Sequence, residues 1–173
     1  MTSSSTESDR ALLVVDMTVE RISPHQPLAV PGAEGLIRYV QGEVRYFRER
    51  GRPVIFACTV DGTGVVPTVI QELTPRTGER VIYKRAFSAF HDTDLAEILQ
   101  SVGARRLTLT GVETNTSILL TAADALSRGL HVVVPEPCTC ARDPDDQRFA
   151  LRQIRDVWPA RLGRAPVVID NDA

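Results

Sequence analysis

Short, almost wholly apolar runs alternate along the chain with longer segments in which apolar residues recur at helical spacing. Apolar runs of this length are typical of strands buried on both faces of a sheet. They span residues 11–17, 53–60, 81–84, 106–112 and 131–136, and a last run at 165–170 predicts a sixth strand. Helices are predicted over about 32–50, 93–103, 115–128 and 143–158, the first three ending at Gly51, Gly103 and Gly129.

This alternation predicts an α/β fold: a doubly wound, Rossmann-like parallel sheet of about six strands with helices on both faces. A chain of 173 residues is long enough for one domain with a substantial core. We expect a flexible tail over 1–10 and a single domain over 11–173. The segments 18–31 and 60–80 are irregular. Because long irregular insertions often form binding loops, we expect these two segments to shape the substrate pocket.

The composition limits the kinds of molecule that the protein is expected to bind. Apolar residues make up 43% of the chain and charged residues 24%, and the formal net charge is −2. There is no basic stripe for nucleic acid and no apolar run long enough to cross a bilayer, so we expect neither nucleic acid nor membrane as partner. The polar N-terminus, MTSSSTESDR, lacks the apolar core of a secretory signal, so the expected location is cytoplasmic.

The three cysteines, Cys58, Cys138 and Cys140, are predicted to be free thiols, because an odd number in a chain without a signal argues against a disulfide framework. No histidine lies at ligand spacing from the Cys138–Cys140 pair. We therefore expect no metal and no other cofactor.

Three polar side chains are predicted at the carboxyl ends of strands, where doubly wound sheets bind ligands. Asp16 follows the first strand, where a partly desolvated carboxylate suits acid or base chemistry. Lys84 ends the third strand and could hold a substrate oxygen. Ser117 follows the fourth strand at about the second position of a helix capped by Asn115, where the helix dipole favours an anion. Each residue alone is also compatible with an ordinary structural role, such as a lysine that reaches solvent.

The surroundings of these residues match a family pattern. The matching segments are ALLVVDM, YKRAFSAFHDTDLAEIL, LTLTGVETNTSILLTAADALSRGLHVVVPE and DPDDQRFAL. They resemble the isochorismatase-like hydrolases, also called cysteine hydrolases, over nearly the whole chain from residue 11. That family includes isochorismatase, nicotinamidase and N-carbamoylsarcosine amidohydrolase. The resemblance therefore implies hydrolysis of a small molecule without a cofactor.

The resemblance also implies roles for individual positions. Asp16 would be the catalytic acid or base, Lys84 the lysine of the catalytic triad and Ser117 the nucleophile position. A cis peptide bond would join Val112 to Glu113, and the amides of Glu113 and Ser117 would form an oxyanion hole. Further substrate-pocket residues would be Met17, Ser88, Phe90 and Thr114. Family members commonly associate, so a homo-oligomer, dimer or tetramer, is expected.

One departure from the family concerns the nucleophile. The amidase pattern G-x-x-T-[ND]-x-C is matched at Gly111, Thr114 and Asn115, but Ser117 stands in place of cysteine. A serine hydroxyl is far less acidic than a thiol and needs a well-placed base. Three explanations are open: an engineered Ser-for-Cys variant of a cysteine amidase, a native serine in a reaction without a covalent nucleophile, as in isochorismatase, or a serine that is itself the nucleophile or belongs to a silenced binding protein.

A second departure concerns the residues after the first two strands. The chain reads DMTVERI where family members often read D-x-Q-N-D-F, and Thr59, Val60 and Asp61 replace histidines. We therefore expect no catalytic metal and disfavour nicotinamide as substrate. The sequence predicts a hydrolase of an amide-type C–N bond with position 117 as nucleophile. Two alternatives are a vinyl-ether hydrolase with Asp16 as general acid, and a non-catalytic small-molecule-binding protein on the same fold.

Overall fold

A computed structural model of the chain describes residues 9–62 and 64–158. In that part of the chain, six strands form one sheet surrounded by helices. The strands are β1 (Arg10–Val15), β2 (Val54–Thr59), β3 (Arg80–Lys84), β4 (Arg106–Val112), β5 (His131–Val133) and β6 (Thr139–Cys140). The helices are α1 (Val19–Ile22), α2 (Ile37–Glu49), α3 (Leu95–Ser101), α4 (Leu119–Ser127) and α5 (Pro144–Arg152). Short 3₁₀ turns cover Ala33–Leu36, Gln71–Leu73 and Glu136–Cys138, and π-helical turns cover Thr114–Ile118 and Gln153–Val157.

The strands pair in parallel in the order β3–β2–β1–β4–β5, and β6 pairs with the carboxyl end of β4. From β1 the chain proceeds to β2 and β3 on one side and then to β4 and β5 on the other. The order therefore reverses between β1 and β4, and a crevice opens at such a reversal beyond the carboxyl ends of the strands. A binding site is expected in that crevice.

The sheet is covered on both faces, as the continuous apolar runs predict. Leu13 and Val15 of β1 belong to a buried cluster that includes residues of α3, α4 and α5. Leu12 and Val14, which alternate with them along the strand, belong to a second cluster that includes residues of α2. The α/β fold class and the helices on both faces are confirmed.

β1 and β4 approach each other so closely at Gly111 that a side chain has no room. Gly111 is the register partner of Val15, and a Cβ atom built on Gly111 would lie 1.9 Å from the Val15 carbonyl oxygen. Its φ of +122° is also a conformation that other residues rarely adopt. The glycine thus permits the close pairing that brings the ends of the two strands together.

Several predicted boundaries differ from the structure. The helix predicted over 32–50 is a 3₁₀ turn followed by α2, and that over 93–103 is the shorter α3. The predicted strand 165–170 lies outside the described residues, as do residues 1–8 of the predicted tail. None of the described helices has the length and apolar character needed to cross a membrane.

The prediction that Asn115 caps a helix is wrong. The helical segment begins at Thr114 with Glu113 at the N-cap position, so Asn115 lies inside the π turn and Ser117 is its fourth residue rather than its second. The Asn115 Nδ2 atom instead donates to Asp146 Oδ2 at 3.0 Å. The side chain therefore links this turn to α5.

Candidate active site

Asp16 follows β1 directly and is 1% exposed. Its backbone N–H donates to the Ala57 carbonyl at 2.8 Å, and its φ of +54° lies in the left-handed region. Such a conformation is uncommon outside glycine and is kept only where the surrounding structure fixes it. The backbone thus turns away from the sheet at the residue that carries the carboxylate.

Lys84 ends β3, two strands away from β1, and its side chain crosses the end of β2 to reach Asp16. Its Nζ atom lies 3.2 Å from Asp16 Oδ2, and the two side chains are 0% and 2% exposed. Nζ also donates to the carbonyls of Ala86 and Phe87 at 3.3 Å and 3.2 Å. The ammonium is therefore held from several sides, as a buried charge requires.

Thr59, which the sequence analysis did not select as a candidate, lies at the end of β2 between these two charged groups. Its hydroxyl accepts from Lys84 Nζ at 2.6 Å and donates to Asp16 Oδ2 at 2.9 Å. Its backbone N–H donates to Asp16 Oδ1 at 2.6 Å. The signal that could have found it is the strand order, because β2 lies between β1 and β3 and its terminal side chain must fall between theirs.

Ser117, which follows β4, belongs to the same hydrogen-bonded group and approaches Asp16 from the β4 side of the crevice. Its hydroxyl donates to Asp16 Oδ2 at 3.2 Å and accepts from Lys84 Nζ at 3.0 Å, and the residue is 4% exposed. The structure therefore brings together the three residues selected from the sequence. A carboxylate, an ammonium and two bridging hydroxyls make up one buried hydrogen-bonded cluster.

The predicted cis peptide bond is not present. The bond between Val112 and Glu113 is trans, as are all peptide bonds among the described residues. Glu113 instead adopts a φ of +64°, which turns the chain from β4 into the π turn. The Glu113 carboxylate accepts from Arg21 at 3.3 Å and from Arg142 at 3.2 Å. The side chain thus ties this turn to α1 and to the segment after β6.

The four predicted pocket residues occupy different environments. Met17 is 1% exposed within the core on the α2 side of the sheet. Ser88 donates to Asp124 Oδ2 at 2.5 Å, and Phe90 packs in the other core beneath the Arg128 guanidinium. Thr114 is fully buried, and its Oγ1 atom has no hydrogen-bond partner within the described part of the chain.

A cleft of about 420 Å³ adjoins the cluster. Its lining residues come from 18–28 and 59–67, so the two irregular segments do shape a pocket, as predicted. Thr59 lines the cleft and also contacts Asp16 and Lys84. None of the four pocket residues predicted from the resemblance is among the lining residues.

Hydrogen bonds hold the two segments of the cleft together. The Val19 N–H donates to the Thr68 carbonyl at 2.9 Å, and the Ile70 N–H donates to the Met17 carbonyl at 3.1 Å. Arg142 donates from Nη2 to the Leu28 carbonyl at 2.9 Å and from Nη1 to the Ala29 carbonyl at 3.0 Å. The walls of the cleft are thus anchored to each other and to the segment after β6.

The cysteine nearest the cluster is not an activated thiol. Burial and then the charges of Asp16 and Glu20 together raise the pKa of Cys58 from 9.0 to about 12, against a smaller lowering by Lys84. The pKa of Cys140 is also raised, by burial and by the charge of Glu113. Cys58 and Cys140 are therefore protonated at neutral pH and lack thiolate character. In the described part of the chain, no group of three or more potential ligands could hold a metal ion.

Comparison with known proteins places this geometry in a family context. A protein-family model described as "Isochorismatase domain" matches residues 10–164. The maleamate amidohydrolase of Pseudomonas putida is 25% identical over 167 residues, covering 83% of this chain and 78% of that protein.

Two solved structures are similar over nearly their full length. The N-carbamoylsarcosine amidase from Thermoplasma acidophilum has a TM-score of 0.78 and 30% identity, covering 95% of this chain and 98% of that one. An isochorismatase-like hydrolase from Alkaliphilus metalliredigens has a TM-score of 0.83 and 24% identity, covering 93% and 94%. The second comparison bears on the fold alone.

Proposed function

The chain belongs to the isochorismatase family of hydrolases, and from this premise we propose that it cleaves an amide-type C–N bond in a small molecule, with Ser117 as the nucleophile. The observation that carries the proposal is the hydrogen bond from the Ser117 hydroxyl to Asp16 Oδ2, at 3.2 Å. A nucleophile within hydrogen-bonding reach of its base is the basic requirement of covalent acyl transfer.

The reaction follows from the contacts of Ser117. As its Oγ atom attacks the amide carbon, the hydroxyl proton passes to Asp16. The C–N bond then breaks, and Asp16 returns the proton to the leaving nitrogen. Water attacks the resulting ester with Asp16 as base, which releases the carboxylic acid and regenerates Ser117. An amide and a water molecule are thus converted into an acid and an amine or ammonia.

Lys84 has two tasks in this scheme. Its ammonium lies 3.2 Å from Asp16 Oδ2, which favours the ionised carboxylate that acts as base. It also lies 3.0 Å from Ser117 Oγ and stabilises negative charge that develops there. The backbone amide of Ser117 is the candidate donor to the tetrahedral oxyanion. The predicted contribution of the Glu113 amide is not carried forward, since it depended on the cis peptide bond.

The names of similar proteins support the proposal of amide hydrolysis, since a maleamate amidohydrolase and an N-carbamoylsarcosine amidase both cleave C–N bonds. A second candidate function is hydrolysis of a vinyl ether, in which Asp16 protonates the substrate and water attacks. The observation that favours it is the hydrogen bond from Lys84 Nζ to Ser117 Oγ, because an oxygen that accepts from an ammonium is a weaker nucleophile.

The test compares the hydrolysis of small primary amides and of enol ethers by the wild-type chain and by three variants. We expect Ser117→Ala to lower kcat for amides by ~10³-fold or more and Asp16→Asn by at least ~10²-fold, because each removes a group that acts in the transition state. Ser117→Cys should retain or increase amide hydrolysis, because a thiol is the more nucleophilic group.

Ser127→Ala is the matched control, because Ser127 is exposed on α4 and its hydroxyl donates only to the Ala123 carbonyl. It should leave both activities intact. Amide hydrolysis that survives Ser117→Ala would exclude the serine nucleophile. Enol-ether hydrolysis that survives Ser117→Ala and is lost in Asp16→Asn would establish the second candidate. Binding without turnover of either class would favour a non-catalytic protein.

A further inference from the structure

The cleft beside the catalytic cluster contains a carboxylate that the proposed chemistry does not use. Glu20, in the first turn of α1, lines the cleft together with Thr59, which contacts both Asp16 and Lys84. The Oε2 atom of Glu20 is buried and has no hydrogen-bond partner among the described residues. A substrate held at the cluster and extending into the cleft would therefore meet the half-buried Glu20 side chain.

An unpartnered carboxylate oxygen is costly in a folded protein. A buried polar atom that makes no hydrogen bond destabilises the fold, so such atoms are normally paired. Among the described residues Glu20 forms no ion pair, and the neighbouring Arg21 is directed to Glu113 at 3.3 Å. A cationic group on a bound ligand would pair with the Glu20 carboxylate.

The other lining residues indicate the sign and shape of that ligand. Arg21, the cationic residue among the described lining residues, is already paired with Glu113 and does not offset the charge of Glu20. The apolar walls are formed by Pro27, Leu28, Val65 and Pro67. The charge of Glu20 also reaches the end of β2, where it is one of the causes that raise the pKa of Cys58. The cleft thus combines a negative potential with an apolar surface.

We propose that Glu20 is a specificity-determining residue that receives a cationic group, an ammonium or guanidinium, on the substrate. The substrate would be a small amide that carries this cation at the end of an apolar chain: the amide lies at Ser117, the chain against the apolar walls and the cation at Glu20. This inference rests on the proposed amide hydrolysis and adds the class of substrate to it.

The test is a substrate panel in which only the terminal charge changes. It consists of ω-aminoalkanamides of graded length, the uncharged n-alkanamides of the same length and the monoamides of the matching dicarboxylic acids. We expect kcat/KM of the wild-type chain to be ~10- to 100-fold higher for the cationic member than for the uncharged one, which is typical of a charge-assisted hydrogen bond. The anionic member should be the poorest substrate.

Glu20→Gln, which keeps the size of the side chain, should bring the ratio of cationic to uncharged kcat/KM close to one. Glu97→Gln is the matched control, because Glu97 is exposed on α3 and does not line the cleft, and it should keep the wild-type ratio. Equal wild-type kcat/KM values for the three classes, a preference for the anion, or an unchanged ratio in Glu20→Gln would overturn the proposal while leaving amide hydrolysis in place.

Calorimetric binding of the same three compounds to the wild-type chain separates this proposal from the proposed function. If no amide is hydrolysed but the ω-aminoalkanamide binds more tightly than its uncharged and anionic counterparts, the cation site stands and the amidase proposal fails. If the three compounds bind equally, the cation site fails. Because the wild-type panel and calorimetry need no variant, the proposal can be tested even if Glu20→Gln does not fold.

Discussion

The hydrogen and the oxygen of the Ser117 hydroxyl have different partners. The hydrogen is directed to Asp16 Oδ2 at 3.2 Å, while the oxygen accepts from Lys84 Nζ at 3.0 Å. Thr59 repeats this arrangement, accepting from Lys84 at 2.6 Å and donating to Asp16 at 2.9 Å. Two hydroxyls thus bridge one buried ion pair, and of the two Ser117 is the one that we propose as the nucleophile.

Thr59 is expected to act as a positioning residue. In Thr59→Val the backbone N–H that donates to Asp16 remains, but the bridge between Asp16 and Lys84 is lost. We expect kcat/KM for amides to fall by ~10-fold or more, because an unmade hydrogen bond to a buried charge costs more than a neutral one.

Thr59→Ser keeps the hydroxyl and is the conservative partner in this comparison. It should restore the wild-type kcat/KM. Thr59→Val keeps the methyl group and Thr59→Ser removes it. Full activity in Thr59→Val together with a loss in Thr59→Ser would therefore show that packing of the methyl group matters rather than the bridge.

The sequence was most informative about single residues at strand ends. Asp16, Lys84 and Ser117 could be found because each follows an apolar run, and such ends meet at one edge of a parallel sheet. Thr59 follows a run in the same way but escaped notice, because its importance depends on β2 lying between β1 and β3. That neighbour relation is a tertiary property, which the hydrophobic pattern of a single strand does not contain.

Among the elements, β4 has the tightest steric requirement. Gly111→Ala would place a Cβ atom 1.9 Å from the Val15 carbonyl oxygen at a φ of +122°. We expect the free energy of unfolding to fall by ~3 kcal/mol or more, because backbone strain is added to an overlap with main-chain atoms that cannot move aside. Chemical denaturation followed by circular dichroism measures this change.

Gly42→Ala is the control for that experiment. Gly42 lies inside α2, and a Cβ atom there would meet nothing within 4 Å. Alanine should therefore increase the free energy of unfolding by ~0.5–1 kcal/mol through its higher helix propensity. Similar losses at the two positions would contradict the steric account of Gly111.

The turn between β4 and α4 shows where prediction from sequence failed at the level of elements. The family pattern selected Ser117, which lies in the buried cluster, but Asn115 was assigned a cap and the Val112–Glu113 bond a cis geometry. In the structure Glu113 adopts a left-handed conformation and a π turn follows. Residues of this turn contact α1, α5 and the segment after β6. The local sequence does not reveal those contacts, and so it could not fix the geometry of the turn.

For the molecule as a whole, the continuous apolar runs were sufficient to predict a doubly wound parallel sheet, because only burial on both faces accounts for them. The position of the pocket was also predictable, since irregular segments 18–31 and 60–80 contribute its lining. The chemistry of the pocket was not predictable, because the environments of Glu20 and Arg21 depend on how those segments fold against each other. The expected homo-oligomer and the cytoplasmic location stay predictions.

We propose that the Asp16–Lys84–Ser117 cluster hydrolyses amides through an ester on Ser117. Intact-mass spectrometry of acid-quenched reactions, followed by peptide mapping, tests for this ester. With the best amide of the substrate panel, we expect a transient mass increase equal to the acyl group, located on the peptide that contains Ser117 and absent from Ser117→Ala. Steady amide turnover without any such adduct, at a rate unaffected by Ser117→Ala, would exclude the ester.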